Sequence, residues 1–225
     1  LSQGYGMSEV SSAASCCCNG NFKSLSVGYP LLTTTIGIFA PGTTDELDYG
    51  EEGEICISGP SIMLGYLNNK AETDNVIHRH PDGTLWVHSG DIGHMDSDGF
   101  VYIKGRIKRM ITLFNGHKIF PTHIESVLGH HPVVESCAVV GVNDTTHAQG
   151  QLTLAVIEAK EQTLEKLTAM KNELYEMCRQ ELEGPAKPYD IIFIESMPHT
   201  GMGKIDYLKL AENYNNENKN KTEAV

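Results

Sequence analysis

Thr35 to Ala40, Gly53 to Ser58, Thr84 to His88 and Gly99 to Lys104 carry short apolar or alternating runs closed by turn signals. Such a pattern predicts strands a few residues long with at least one buried face. Pro41-Gly42, Pro81-Asp82-Gly83 and Asp98-Gly99 mark the turns, because Pro presets φ and Gly accepts positive φ. Residues 1 to about 105 therefore predict strands with few helices. After Arg106 the texture changes. Arg109 to Phe114 reads as a strand ended by Gly116, and Pro121-Thr122 opens a short helix with Ile124, Val127 and Leu128 on one face. Val133 to Val142 and Gln151 to Ala159 read as buried strands. Leu164, Leu167, Met170, Leu174, Met177 and Leu182 recur at helical spacing, predicting a helix from Thr163 that Gly184-Pro185 stops. Ile191 to Glu195 predicts a last strand, followed by a loop through Pro198 to Gly203 and a helix from about Ile205. Asn213 to Val225 is dominated by Asn, Lys and Glu and is expected to fray, since it cannot bury enough apolar area to offset its backbone entropy. The expected class is α+β, divided into a β-rich part over 1–105, a small α+β domain over 106–212 and a disordered tail over 213–225.

Charge narrows the function. Seventeen Lys and Arg against 29 Asp and Glu leave a net charge of −12 over 225 residues. Neutralising phosphates takes a surplus of cations on one face, so electrostatic nucleic-acid binding is excluded as a default. Hydrophobic residues make up 40%, enough for a core and against a disordered chain. No apolar run approaches the roughly 20 residues of a membrane span. Of the six cysteines, Cys16, Cys17 and Cys18 are adjacent while Cys56, Cys137 and Cys178 stand apart. That is not the spacing of a secreted disulfide framework, and a reducing cytoplasm is expected. No second CxxC or CxxH completes a metal site with the cysteine triplet, so no metal is assigned to it. The chain opens on Leu1 without a signal peptide and is expected to be a cut piece.

Four short motifs carry possible chemistry. In Gly201-Met202-Gly203-Lys204 a lysine follows glycines in a loop before a helix, a way to bring an ammonium to a phosphate. Its spacing is not that of a Walker A loop and Ile205 follows, so a structural turn with a surface lysine fits equally well. Ser89-Gly90-Asp91 sits directly after the expected strand Leu85 to His88. A carboxylate projecting from a strand end can accept hydrogen bonds from both hydroxyls of a ribose, although an Asp in a turn reads the same way. Gly105-Arg106-Ile107-Lys108 stands where the composition changes and is a candidate interdomain joint. Arg106 could fork onto ribose or phosphate oxygens, while Lys108 could be a plain solvated charge. In Gly4-Tyr5-Gly6-Met7-Ser8-Glu9 the aromatic suits stacking on a base and the carboxylate suits Mg²⁺.

The order of these motifs resembles the C-terminal part of the adenylate-forming superfamily of acyl-CoA synthetases, peptide-synthetase adenylation domains and firefly luciferase. Residues 4 to 9 are similar to the family's Tyr-Gly-x-Thr-Glu. Gly53-Glu54-Ile55-Cys56-Ile57-Ser58-Gly59 with Gly65-Tyr66-Leu67 is similar to its Gly-Glu-x-x-x-x-Gly and Gly-Tyr pair. Ser89-Gly90-Asp91-Ile92 is similar to Thr-Gly-Asp-Leu. Gly105 to Lys108 with Asn115-Gly116-His117-Lys118-Ile119 and Ile124-Glu125 resembles the hinge motif, and Gly203-Lys204-Ile205-Asp206 resembles the C-terminal Gly-Lys-Val-Asp. Ser8 and Ser89 replace the usual threonines and keep the hydroxyl.

The resemblance implies the β-rich end of a large domain followed by a small, mobile α+β domain. It implies that Tyr5 and Gly6 lie against adenine, that Ser8 contacts the ATP phosphates and that Glu9 binds Mg²⁺. Asp91 would hold both ribose hydroxyls with Arg106 beside them, and Lys118 would approach phosphate. Lys204 would be the catalytic lysine of adenylation, Lys108 the hinge, and Asn115 with Gly116 would line the channel for coenzyme A. The family's phosphate loop and most of its acyl pocket lie upstream of Tyr5, and Pro41-Gly42-Thr43-Thr44 reads as a turn rather than a substitute. The expected activity is ATP-dependent conversion of a carboxylic acid, a fatty acid above all, to an acyl-adenylate and then an acyl-CoA. The piece alone is expected to turn over nothing. An acyl-carrier-protein ligase, an amino-acid adenylating domain and a non-catalytic interaction module are the alternatives. Coenzyme A is preferred as acceptor because a polar tail, not a carrier domain, follows.

Overall fold

The computed structural model describes residues 3–18, 20–144, 147, 149–159 and 164–223. The expected helix start at Thr163 lies outside them. The chain divides into two compact units, Leu1–Lys108 and Arg109–Val225.

In the first unit β1 (Gly4–Tyr5), β2 (Ser15–Cys16) and β3 (Tyr29–Pro30) form a small sheet in that order. β4 (Thr35–Phe39), β5 (Gly53–Ser58), α1 (Lys70–Val76), β6 (Ile77–Arg79), β7 (Leu85–Met95) and β8 (Val101–Arg106) follow. β4, β5, β7 and β6 make an antiparallel sheet in that order. β8 pairs with the second half of β7, whose first half pairs with β6. The core under this sheet contains Val10, Ile36, Ile38, Ile55, Ile57, Val87 and Val101.

β7 corrects the expectation of a strand ending at His88. It runs on through Ser89-Gly90-Asp91 to Met95, so Asp91 lies inside a long strand and not at its end. The sequence reads as a turn there because the strand bulges. Glu54 pairs with Ile92 and Cys56 with His88, leaving Ser89, Gly90 and Asp91 opposite Ile55 alone. Gly90 takes φ +71°, which a residue with a side chain adopts only under strain.

The second unit holds β9 (Ile111–Thr112), β10 (Lys118–Ile119), α2 (Pro121–Gly129), β11 (Val134–Asn143), β12 (Gln151–Ala159), α3 (Leu164–Glu181), β13 (Asp190–Ile194) and α4 (Tyr207–Glu223). The strand expected from Arg109 to Phe114 shrinks to β9, because Ile107–Arg109 is a 3-10 turn. β11 pairs with β12 antiparallel and β12 with β13 parallel. Alternation along these strands feeds two apolar layers. Val139, Ala155, Ile157 and Ile191 pack with Ile124 and Leu128 of α2 and with Met170 and Leu174 of α3. Ala138, Val140, Leu154 and Val156 pack with Leu210 of α4.

α4 also corrects the tail. The helix passes through Asn213 to Glu223, anchored where Ala211 and Tyr214 meet the second layer and where the Asn143 N–H donates to Asn215 Oδ1 at 3.0 Å. Leu174 is fully buried between α3 and the sheet. Leu174→Ala is expected to cost about 2–5 kcal/mol from lost burial and the cavity left behind, read as a lower thermal midpoint in calorimetry. No helix among the described residues is long and apolar enough to cross a membrane.

Candidate active site

Asp91 is the centre of the first unit's polar cluster. Its side chain is 5% exposed, and both of its oxygens are held. Tyr5, 86 positions earlier, donates its hydroxyl to Oδ2 at 2.6 Å. Arg106, the cross-strand partner on β8, donates Nε to Oδ1 at 2.9 Å. Burial, and after it the Asp91 carboxylate, pushes the Tyr5 hydroxyl far above the ordinary phenol range, so it stays a donor. The Arg106 side chain is 58% exposed.

The bulge that aims Asp91 is pinned by side chains. The Ser89 hydroxyl donates to the Ile55 carbonyl at 2.6 Å and accepts the Asp91 N–H at 3.0 Å. Glu54 Oε1 accepts the Gly90 N–H at 2.9 Å, and Glu54 Oε2 lies 2.9 Å from His88 Nδ1. His88 Nε2 lies 3.0 Å from His80 Nε2. Motif reading missed this buried chain. Glu54 stood in a quoted motif, but its pairing with His88 follows only from the register of β5 on β7.

Gly6, Ser8 and Glu9 occupy the turn after β1. A Cβ on Gly6 would sit 1.9 Å from the Ser12 carbonyl oxygen and 2.6 Å from Ala13 Cα, distances no side chain tolerates. Gly6→Ala is therefore expected to displace this turn and Tyr5 with it, lowering the thermal midpoint by the equivalent of about 1–3 kcal/mol. Ser8 is exposed at the start of a 3-10 turn. Glu9 is half-buried, and its Oε1 accepts the Tyr66 hydroxyl at 2.6 Å. That hydrogen bond pushes the Tyr66 hydroxyl up to about 12. The structure thus joins Tyr5 to Asp91 and Arg106, and Glu9 to Tyr66.

Lys108 is exposed in the 3-10 turn after β8. Asn115, Gly116, Lys118 and Lys204 belong to the second unit and are exposed. Asn115 and Gly116 form a turn in which the Gly116 N–H donates to the Leu113 carbonyl and Asn115 Oδ1 accepts the His117 N–H. Gly116 has φ +81°, with open space where a Cβ would be. Lys204 follows a tight turn closed by hydrogen bonds from the Gly203 N–H to the Thr200 carbonyl and from the Thr200 N–H to the Lys204 carbonyl. Ile205 bridges back to His199. α4 begins at Tyr207, two positions later than the expected start. The lysine is thereby presented from a short hydrogen-bonded hairpin. Next to Lys108 in sequence, Arg109 pairs with Glu125, whose Oε1 also accepts the Val139 N–H, and stacks 3.6 Å over the Tyr207 ring.

Comparison with known proteins gives the family. Residues 1–67 match the family model of AMP-binding enzymes, and residues 123–204 match that of the AMP-binding enzyme C-terminal domain. The chain belongs to the adenylate-forming, AMP-binding enzyme family. It is 35% identical over 207 residues to a probable 4-coumarate–CoA ligase 2 of Dictyostelium discoideum, covering 91% of this chain and 35% of that protein. It is 34% identical over 206 residues to a long-chain-fatty-acid–CoA ligase of Salmonella typhimurium, covering 91% and 34%. This member of the family therefore spans about a third of the length of the curated relatives it matches. Among solved structures, ATP-bound MatB from Rhodopseudomonas palustris aligns with a TM-score of 0.77 at 28% identity, over 96% of this chain and 41% of that one. The o-succinylbenzoate coenzyme A synthetase of Bacillus subtilis, in complex with ATP and magnesium, aligns with a TM-score of 0.77 at 27% identity, over 93% and 41%. The mixed α+β architecture with dominant sheets is the one these enzymes share.

Proposed function

We propose that this chain forms the ribose-holding end and the catalytic-lysine domain of an ATP-dependent acid–CoA ligase. The carboxylate of the acid attacks the α-phosphate of ATP, giving an acyl-adenylate and pyrophosphate. The thiol of coenzyme A then attacks the acyl carbon, releasing AMP and a proton and leaving the thioester. The observation that carries the reading is the buried Asp91 carboxylate, fixed by one donor on each oxygen. Each oxygen keeps a lone pair for a ribose hydroxyl, and the two donors fix the orientation of the carboxylate.

The remaining roles follow the family motifs. The Tyr5 ring, tethered by its hydroxyl, and the backbone at Gly6 form a wall for adenine. Ser8 donates to phosphate oxygens, and Lys118 brings a positive charge to them. The half-buried Glu9, oriented by Tyr66, fits a hard cation. It would hold Mg²⁺, which offsets phosphate charge when bound. Lys204 stabilises the charge that builds on the α-phosphate as the carboxylate attacks. Lys108 is the hinge between the adenylating and thioester-forming arrangements. Asn115 and Gly116 border the path of the pantetheine arm, where the absent Cβ leaves room.

A fatty acid is the proposed substrate and coenzyme A the proposed acceptor. The curated relatives include long-chain-fatty-acid ligases and 4-coumarate ligases. The cytoplasmic setting read from the cysteine spacing belongs to the same proposal. The test is ATP–pyrophosphate exchange with a panel of fatty and aryl acids, followed by mass spectrometry of the thioester, on a protein that contains this chain. Exchange with fatty acids and an acyl-CoA product is expected. Exchange confined to amino acids, or transfer only to a carrier protein, would overturn it.

A further inference from the structure

One face of the β5–β7 pair carries more donor chemistry than nucleotide binding uses. Cys56 and His88 are cross-strand partners, and Glu54 stands two residues from Cys56 on the same face of β5. One ligand-capable atom from each of Glu54, Cys56 and His88 lies within 4.8 Å of the others, and all three residues are buried. They are the one such grouping among the described residues, and the cysteine triplet is not.

We propose that Cys56 Sγ, His88 Nδ1 and a Glu54 carboxylate oxygen form a site for Zn²⁺ or a cation of similar softness. A thiolate, an imidazole and a carboxylate on one cation is a borderline-soft set that suits zinc. In the ligand-free state Glu54 Oε2 and His88 Nδ1 are 2.9 Å apart. Bonds of about 2.0–2.2 Å to a tetrahedral ion would require them to separate by only a few tenths of an ångström. The outer partners are already present. His80 Nε2 is placed to accept the Nε2 proton of a metal-bound His88, and the Gly90 N–H holds the second oxygen of Glu54. Such partners fix ring orientation and ligand basicity in zinc sites. Binding exchanges the Cys56 thiol proton for the cation and releases it to solvent.

The consequence reaches Asp91, because Glu54 and His88 grip the bulge from which it projects. The 225-residue chain, stripped with chelator and titrated with Zn²⁺ at neutral pH, is expected to take one tightly held ion and to show a higher thermal midpoint. X-ray absorption should place one sulfur among otherwise nitrogen and oxygen neighbours. Co²⁺ should give a thiolate charge-transfer band that Cys56→Ser abolishes and that Cys16→Ser leaves intact. His80→Gln should weaken binding about 10–100-fold by loosening the outer shell, while keeping the sulfur. A shell without sulfur would overturn the site, as would a cobalt band that survives Cys56→Ser or ions bound only as weakly as exposed histidines hold them. Should Cys56→Ser fail to fold, the absorption spectrum of the unaltered chain decides alone.

Discussion

In an active protein that contains this chain, Lys204→Ala is expected to lower acyl-adenylate formation by orders of magnitude. Thioester formation from supplied acyl-adenylate should largely survive. The reason is differential: in the proposed role the ammonium would meet charge that appears only as the carboxylate attacks the α-phosphate, so its loss would raise that barrier and not the later one. Removing one well-placed donor from such a site costs about 10²–10³ in rate, and a full positive charge stabilises more than a neutral donor. The geometry makes the substitution clean. Lys204 is exposed, and the turn that presents it is closed by backbone hydrogen bonds from Gly203 and Thr200, which alanine leaves in place. Pyrophosphate exchange measures the first step and single-turnover thioester formation the second. Equal loss in both would refute this division.

Asp91→Ala has the next largest expected effect, and it falls on nucleotide affinity. Two charge-assisted hydrogen bonds to a ribose contribute about 1.5–3 kcal/mol each, so ATP and AMP binding should weaken about 10²–10⁴-fold. The substitution also strands the Tyr5 hydroxyl and the Arg106 guanidinium, whose hydrogen bonds converge on this carboxylate. Asp91→Asn keeps the shape and an acceptor for one of them, and should recover part of the stability but little of the affinity. Calorimetric titration with AMP separates the two effects from unfolding. Unchanged AMP affinity in both variants would remove Asp91 from the ribose site.

The residues that carry these predictions were legible to different degrees. β11 and β12 were readable because both faces of their sheet are buried, which leaves almost unbroken apolar runs. α3 was readable because one stripe meets the sheet. α1 was not, since it buries none of its residues. Its signal was local: Asn69 caps the helix by accepting the Glu72 N–H, a polar residue three before a glutamate. β7 was cut short because Ser89-Gly90-Asp91 has turn composition, and only the pairing on both sides shows that the strand continues. Tyr5, Asp91 and Arg106 came from motif order, yet nothing in their spacing states that they share a carboxylate. The Glu54–His88–His80 chain depends on register, which a single sequence does not carry.

α4, the last element of the second unit, has a consequence for the protein's synthesis. The apolar layer of Ala138, Val140, Leu154 and Val156 receives Leu210, Ala211 and Tyr214 from this helix, so on the ribosome it stays bare until α4 has emerged. β13 likewise joins β12 in parallel only after α3 has been made, and such non-local pairing forms slowly. Nascent chains therefore pass through a period in which chaperones compete with self-association for one greasy face. A product that stops short of Tyr207 keeps that face open and leaves Lys204 on an unanchored end. The species that cellular quality control recognises by its stickiness is thus the same one that has lost the fixed lysine.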